Sequence, residues 1–540
     1  MAMNGMVTAP HYLASQAALD ILKQGGNAVD AAIAAASKLA VVYPHMNSIG
    51  GDNFWLIYNA KTNELKALNA SGRAGEKATI DFYRAKGYEK IPYRGYLAAN
   101  TVPGVVSGWE EAYKYAQQSM GNSLPWSKLL GSAISYAKNG TPVTPSQEHW
   151  TNINISLEQK DKDLRALQRF QSFKQTYLKP NGESYKVGEV FKQPQLAQTL
   201  EAIAQQGAAE FYKGEIAQNI VKDLQANGGL LTLKDFAQHK ADWVEPISAD
   251  YRQYKAHNFP PNTQGMASLS ILNILNNFDL KKMGEGTADY YHTIVEATKL
   301  AFVDRDKYLS DPAFVKIPLD MLLSKKHGQE LATRIDMKVA VKERKALDPK
   351  GDTVWLGVVD KDGNAVSLIQ SIYHDYGSGI VAGNTGVLLQ NRGSFFSLEP
   401  KHVNRLQPGK RTFHTLNPAM LLKNGKPYLI YGTMGGEGQP QTQAAIVTRI
   451  VDFGFSVQDA IEAPRWLQGR TWGASANDLK IEGRVPPTVI QALIERGHPV
   501  KVVDNYTDTM GHAGAILIDQ ATNMKFGGAD PRGDGAAIGY

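Results

Sequence analysis

Three features of this 540-residue sequence predict an α+β protein. Apolar positions recur at helical spacing near the start. The stretch from Pro145 to about Ala241 is mostly helical in pattern, with glycines as punctuation. After Thr353, short apolar runs alternate with glycine turns. A chain of this length accommodates several ordinary domains or one large sheet system with helical layers on both sides, and pattern alone leaves both open.

Taken in order, residues from Tyr12 to Lys23 carry Leu13, Ala17, Leu19, Ile21 and Leu22 and stop at Gly25-Gly26, a helix with a glycine end. Asn27 then caps an Ala-rich helix from Ala28 to about Ala40, whose small side chains suit close packing within a layer. The loop from Pro44 to Asn53 precedes the strand Phe54 to Tyr58, and its Ile49-Gly50-Gly51 permits close backbone approach, to another strand before a ligand. Arg73, after the strand-like Leu65 to Leu68, is a candidate anion contact. Val102-Pro103-Gly104 turns into a helix containing Trp109, and His292 to Tyr308 is helical again. Gly432-Thr433-Met434-Gly435-Gly436 closes the strand Tyr428 to Tyr431 and leads into a helix from about Thr442 to Val451. Successive N–H groups at such a turn can form an oxyanion nest, although a plain glycine turn is the simpler reading of these residues alone.

Thr353 lies at a junction. The charged connector Lys342 to Gly351 ends there, and two apolar runs flank the turn Lys361-Asp362-Gly363-Asn364 as an antiparallel hairpin. On spacing alone two readings stand. Thr353 is an ordinary strand residue, or its hydroxyl attacks the Asp352 carbonyl, cuts the chain and leaves an N-terminal threonine whose own α-amine, a group that titrates at about pH 8 in free peptides, serves as base.

Composition excludes several classes. Hydrophobic residues at 43%, charged residues at 20% and a net charge of +6 describe an ordinary globular protein, too weakly basic for a nucleic-acid or membrane partner. The chain has no cysteine, hence no disulfide, thiolate metal site or Cys nucleophile. None of its twelve histidines pairs with another at i, i+4, so no metal is expected, and no phosphate-binding, dinucleotide or Gly-x-Ser-x-Gly signature calls for a cofactor. As given, the chain reads as soluble and cytoplasmic, and a chain with its leader trimmed would read the same.

The ordered motifs Gly25-Gly26-Asn27-Ala28-Val29-Asp30, Ile49-Gly50-Gly51, Val102-Pro103-Gly104, Asp352-Thr353, Gly377-Ser378-Gly379, Gly435-Gly436 and Asp530-Pro531-Arg532 together resemble the γ-glutamyltranspeptidase family of N-terminal-nucleophile (Ntn) hydrolases. The resemblance implies an αββα sandwich built jointly by a large subunit, 1–352, and a small subunit, 353–540, after cleavage between Asp352 and Thr353. It implies Thr353 as nucleophile, Ser371 in support, and Gly435 and Gly436 as oxyanion hole. Where glutathione-cleaving members hold the glutamate α-amine, this chain places Tyr373, Arg392 and Phe395, and His414-Thr415 replaces the paired serines. These changes remove an anion and add a cation. They imply a small-molecule amide whose acyl group bears a carboxylate held by Arg392, His414, Thr415 and Arg73, as in the acylase-like and oxamate-amidohydrolase-like branches. A glutathione hydrolase or γ-glutamyltransferase, an uncut inactive binding protein, and a homodimer of processed heterodimers remain open.

Overall fold

The computed structural model describes residues 1–121, 123–156, 165–341, 352–469 and 477–540, with only the backbone of Asp352. The connector Lys342 to Gly351 lies outside the described residues. Two antiparallel sheets face each other. The first contains β1 (Met6–Ala9), β2 (Asp52–Asn59), β3 (Glu64–Ala70), β4 (Asp242–Val244), β7 (Asp352–Val359), β8 (Ala365–Tyr373) and β13 (Ala536–Gly539), in the order β13-β1-β7-β8-β2-β3-β4. The second contains β5 (Ile247–Tyr251), β6 (Tyr254–Asn258), β9 (Ala419–Lys423), β10 (Lys426–Thr433), β11 (Ala513–Ile518) and β12 (Lys525–Ala529), in the order β12-β11-β10-β9-β6-β5. Segments before and after Thr353 contribute strands to both sheets, and β7 and β8 sit between β1 and β2.

Alternation along the strands builds the layers, because successive side chains leave opposite faces of a sheet. On β2, Phe54, Leu56 and Tyr58 enter the inter-sheet core, while Trp55 and Ile57 turn outward. Outside the first sheet lie α1 (Tyr12–Lys23), α2 (Ala28–Val42), α3 (Val105–Ser119), α4 (Trp126–Asn139) and α5 (Pro194–Gln206). Outside the second lie α6 (Gly265–Leu275), α7 (Ala288–Tyr308) and α8 (Gly438–Val451). The result is the αββα sandwich. No described helix is long and apolar enough to cross a membrane.

The local expectations largely hold. Asn27 Oδ1 accepts from the N–H groups of Val29 and Asp30, and all fifteen residues of α2 are buried. The hairpin forms, with Gly363 at φ 87° in its turn. Gly50 and Gly51 lie where an added Cβ would strike the Leu388 and Ser371 carbonyl oxygens, so the approach is strand to strand. One boundary needs correction: α8 starts at Gly438 rather than near Thr442. Pro440 sits in its first turn, where a missing N–H costs nothing.

Candidate functional site: a buried threonine beside a glycine nest

Thr353 is the second residue of β7 and is fully buried, and its Oγ1 has no hydrogen-bond partner among the described residues. The strand's outward positions, Val354, Leu356 and Val358, lock it to the helical layer, so the odd-numbered residues face the second sheet. Across the gap the Trp355 ring lies against Gly432, and Gly357 faces Ile430. A step of two along β7 matches a step of two back along β10, which carries Thr353 to the level of Met434 and the turn that follows it.

That turn is the predicted nest. Gly435 and Gly436 have φ of 120° and 53°, values an L side chain rarely adopts, and neither N–H has an acceptor among the described residues. Their carbonyls point elsewhere: Gly435 O accepts from Gly438 N at 2.8 Å, and Gly436 O from Gln264 Nε2 at 2.8 Å. Gln264 is fully buried and also donates to Thr415 O at 2.8 Å, while its Oε1 accepts from Arg305 Nη1 at 3.0 Å. Arg305 in turn reaches Glu437 at 3.1 Å and Asp306 at 2.7 Å. One amide thus ties the nest to the loop that carries His414 and Thr415.

The predicted acyl-binding residues converge on that loop. Arg392 is 1% exposed, and its Nη1 donates to Thr415 Oγ1 at 3.3 Å. Its guanidinium lies 4.1 Å above the Tyr373 ring, and its Nε and Nη2 have no partner among the described residues. No carboxylate pairs with it among them either. Burial lowers its pKa to about 10, which leaves it charged at neutral pH. Tyr373 closes β8 with φ 83°, and its N–H donates to Ser371 Oγ at 2.8 Å, so the predicted supporting Ser371 shapes the bend that presents Tyr373.

His414 Nε2 lies 3.1 Å from Asp52 Oδ2. Asp52 Oδ1 accepts from Gln390 Nε2 and from Gly72 N, each at 2.9 Å. Burial raises the Asp52 pKa to about 6 against those hydrogen bonds, and burial holds His414 well below its usual range, helped by Arg392 and Arg411. At neutral pH Asp52 is therefore the carboxylate and His414 the neutral donor, which leaves His414 Nδ1, buried and without a partner among the described residues, as an acceptor. Arg73 is placed differently. Its side chain is 34% exposed and pairs with Asp242 at 2.7 Å, an acid it shares with Arg411.

A model of the Gamma-glutamyltranspeptidase family matches residues 14–540. The chain belongs to the γ-glutamyltranspeptidase family. It is 48% identical, over 99% of its own length and 98% of the relative's, to the glutathione hydrolase-like YwrD proenzyme of Bacillus subtilis. It is 46% identical, over 99% and 98%, to the oxamate amidohydrolase proenzyme of Klebsiella pneumoniae. The structure of cephalosporin acylase from Bacillus halodurans superposes with a TM-score of 0.90 at 40% identity, covering all of this chain and 96% of that one. The chain is thus a hydrolase of the Ntn type.

Within that family frame, two residues of the site escape sequence reading. Asp52 is legible only as an acid opening an apolar strand after two glycines, a position where a charge must be buried. Gln264 carries no local signal, since Thr415 and Gly436 lie 151 and 172 positions away. His292, Glu296 and His498 are the one buried trio among the described residues close enough to share an ion. Most of their polar atoms are already taken up: His292 Nδ1 meets His498 Nε2 at 2.8 Å, His292 Nε2 donates to Asp336 O at 2.8 Å, and Glu296 accepts from Lys299 Nζ at 2.8 Å and Val341 N at 2.9 Å. The trio centres on α7, in the layer outside the second sheet.

Proposed function

We propose that the chain cuts itself between Asp352 and Thr353 and then hydrolyses amides of a small acyl group that bears a carboxylate. In the first step Thr353 Oγ1 attacks the Asp352 carbonyl carbon, the C–N bond breaks, and the nitrogen keeps the hydroxyl proton. Water then hydrolyses the ester, freeing the Asp352 carboxyl group and an N-terminal Thr353. In turnover Oγ1 attacks the substrate carbonyl, the Thr353 α-amine takes its proton, and the N–H groups of Gly435 and Gly436 hold the oxyanion. The α-amine passes the proton to the departing amine as the C–N bond breaks, and water returns the acyl ester to free acid and hydroxyl.

The observation that carries the acyl assignment is Arg392, a buried charged guanidinium with two unsatisfied donors and no acid in ion-pair contact among the described residues, Asp52 acting on it only at longer range. Such a group costs several kcal/mol unless an anion completes it, and a carboxylate is the fork-shaped match. A substrate α-ammonium would meet this cation, which argues against γ-glutamyl compounds and for oxamate, glutaryl amides and their kin. The 46% identical oxamate amidohydrolase supports that choice by name.

Denaturing electrophoresis and intact mass test the first half. Dividing 59.1 kDa at residue 352 of 540 gives fragments of about 39 and 21 kDa, and Thr353→Ala is expected to remain whole and lose activity by roughly 10⁴-fold or more. An uncut, fully active wild-type chain would overturn the proposal. For the second half, oxamate and glutaryl amides are expected to turn over faster than glutathione; the reverse order would make the protein a glutathione hydrolase.

A further inference from the structure

A cavity of about 330 Å³ begins at Glu437, the residue after the Gly435–Gly436 nest. Its flat wall is Phe395 and Phe413, whose rings stack at 4.6 Å and 12°. Phe395 also meets the Tyr373 ring at 5.5 Å, and Tyr373 is the ring beneath Arg392. Phe413 is the neighbour of His414. The cavity thus adjoins, through Glu437, the turn that carries the nest and, through Phe395 and Phe413, the residues that flank Arg392 and His414. An amide whose carbonyl sits at the nest and whose acyl carboxylate sits on Arg392 must send its amine half into remaining space next to both.

We propose that this cavity receives the departing amine and that the amine it fits is a flat, uncharged aromatic one. The inference rests on the acyl reading above. The stacked phenylalanines offer an offset face for a third ring, and 330 Å³ lies at the small end of ligand cavities, room for a substituted benzene. Charge argues the same way. Arg305 lines the cavity but is committed to Glu437, Asp306 and Gln264. Glu399, also on the wall, pairs with Arg84. His402 is held neutral first by burial and then by Lys410. On the wall as a whole four acids, Glu89, Asp306, Glu399 and Glu437, face two cations, Lys90 and Arg305, so a carboxylate on the amine would add to an excess of negative charge.

The test is the hydrolysis of glutaric acid monoamides by the processed wild-type enzyme, comparing the N-methyl, N-benzyl and N-(4-carboxybenzyl) amides. Benzylamine is about one pKa unit less basic than methylamine and departs more easily for that reason alone, a bias that is constant across the variants and so drops out when their ratios are compared. The expected kcat/KM for the benzyl amide exceeds that for the methyl amide by about tenfold, and the carboxybenzyl amide falls back by a similar factor. Phe413→Ala and, independently, Val403→Trp, which narrows the cavity, are each expected to lower the benzyl-to-methyl ratio at least about fivefold. The ratio is internal to one preparation, so partial misfolding does not move it. A wild-type ratio near one, or a ratio unchanged in both variants, overturns the inference while leaving the acyl reading intact. Failure to cleave any of the three amides brings down the acyl reading and this inference together.

Discussion

Thr353 and Arg392 are both fully buried with polar atoms left unsatisfied among the described residues, yet what surrounds them is opposite in kind. Thr353 sits in an apolar seat between two sheets, beside Trp355 and a turn whose useful groups are backbone N–H groups. Arg392 sits among polar side chains drawn from across the chain: Thr415, His414 and Asp52, the last held by Gln390 and Gly72. The contrast separates two demands. Bond breaking needs a hydroxyl and two dipoles held in place, which main-chain geometry supplies without charge. Choosing an acyl group needs a charge kept out of water, which only a side-chain network can hold.

The contrast can be broken at three places. Arg392→Met keeps volume but removes the cation, and kcat/KM for a carboxylate-bearing amide is expected to fall about 10²- to 10³-fold while self-cleavage, followed by electrophoresis, proceeds. Cleavage lost with turnover would mean that the two regions are not separable. Gln264→Ala cuts the one amide that spans both, so turnover and self-cleavage are both expected to slow, by roughly 10- to 100-fold. A loss that shows only as a raised KM, with kcat and self-cleavage unchanged, would remove the nest from Gln264's duties.

Asp52→Asn is the mildest of the three. With a folded pKa of about 6 against an ordinary aspartate value of 3.8, Asp52 binds its proton more tightly in the folded chain. Its contribution to stability is therefore complete below the unfolded value and is withdrawn as pH rises through about 6. Activity runs the other way, since protonation removes the acceptor that sets the His414 tautomer. The wild-type kcat/KM profile is expected to fall several-fold below about pH 6, and Asp52→Asn to lose that limb. An identical limb in the variant would assign it elsewhere.

The same contrast explains what the sequence can disclose. The Asn27 cap, the hairpin from Asp352 to Tyr373 and the glycines of the nest are local devices, in which turn chemistry and side-chain period act within a few residues. They are readable, and the family resemblance extends them to the sandwich. The start of α8 is harder to place, because a proline looks like a barrier wherever its position in the helix is unknown, and Pro440 falls in the one turn that tolerates it. The Asp52–His414 pair spans 362 positions, and Gln264 joins loops more than 150 residues off. No local pattern encodes such meetings. Arg73 shows the same limit from the other side: its charge is legible, but the Asp242 that holds it is not.

The interleaving of β7 and β8 between β1 and β2 reaches beyond the site. Two pieces made by a cut before Thr353 would be threaded through each other, like folded hands, and neither could withdraw without stripping hydrogen bonds from its partner's strands on both flanks. Scission would thus cost the molecule its covalent continuity but not its integrity. A large piece made by itself would carry a sheet with its middle missing, and its bare strand edges would invite aggregation.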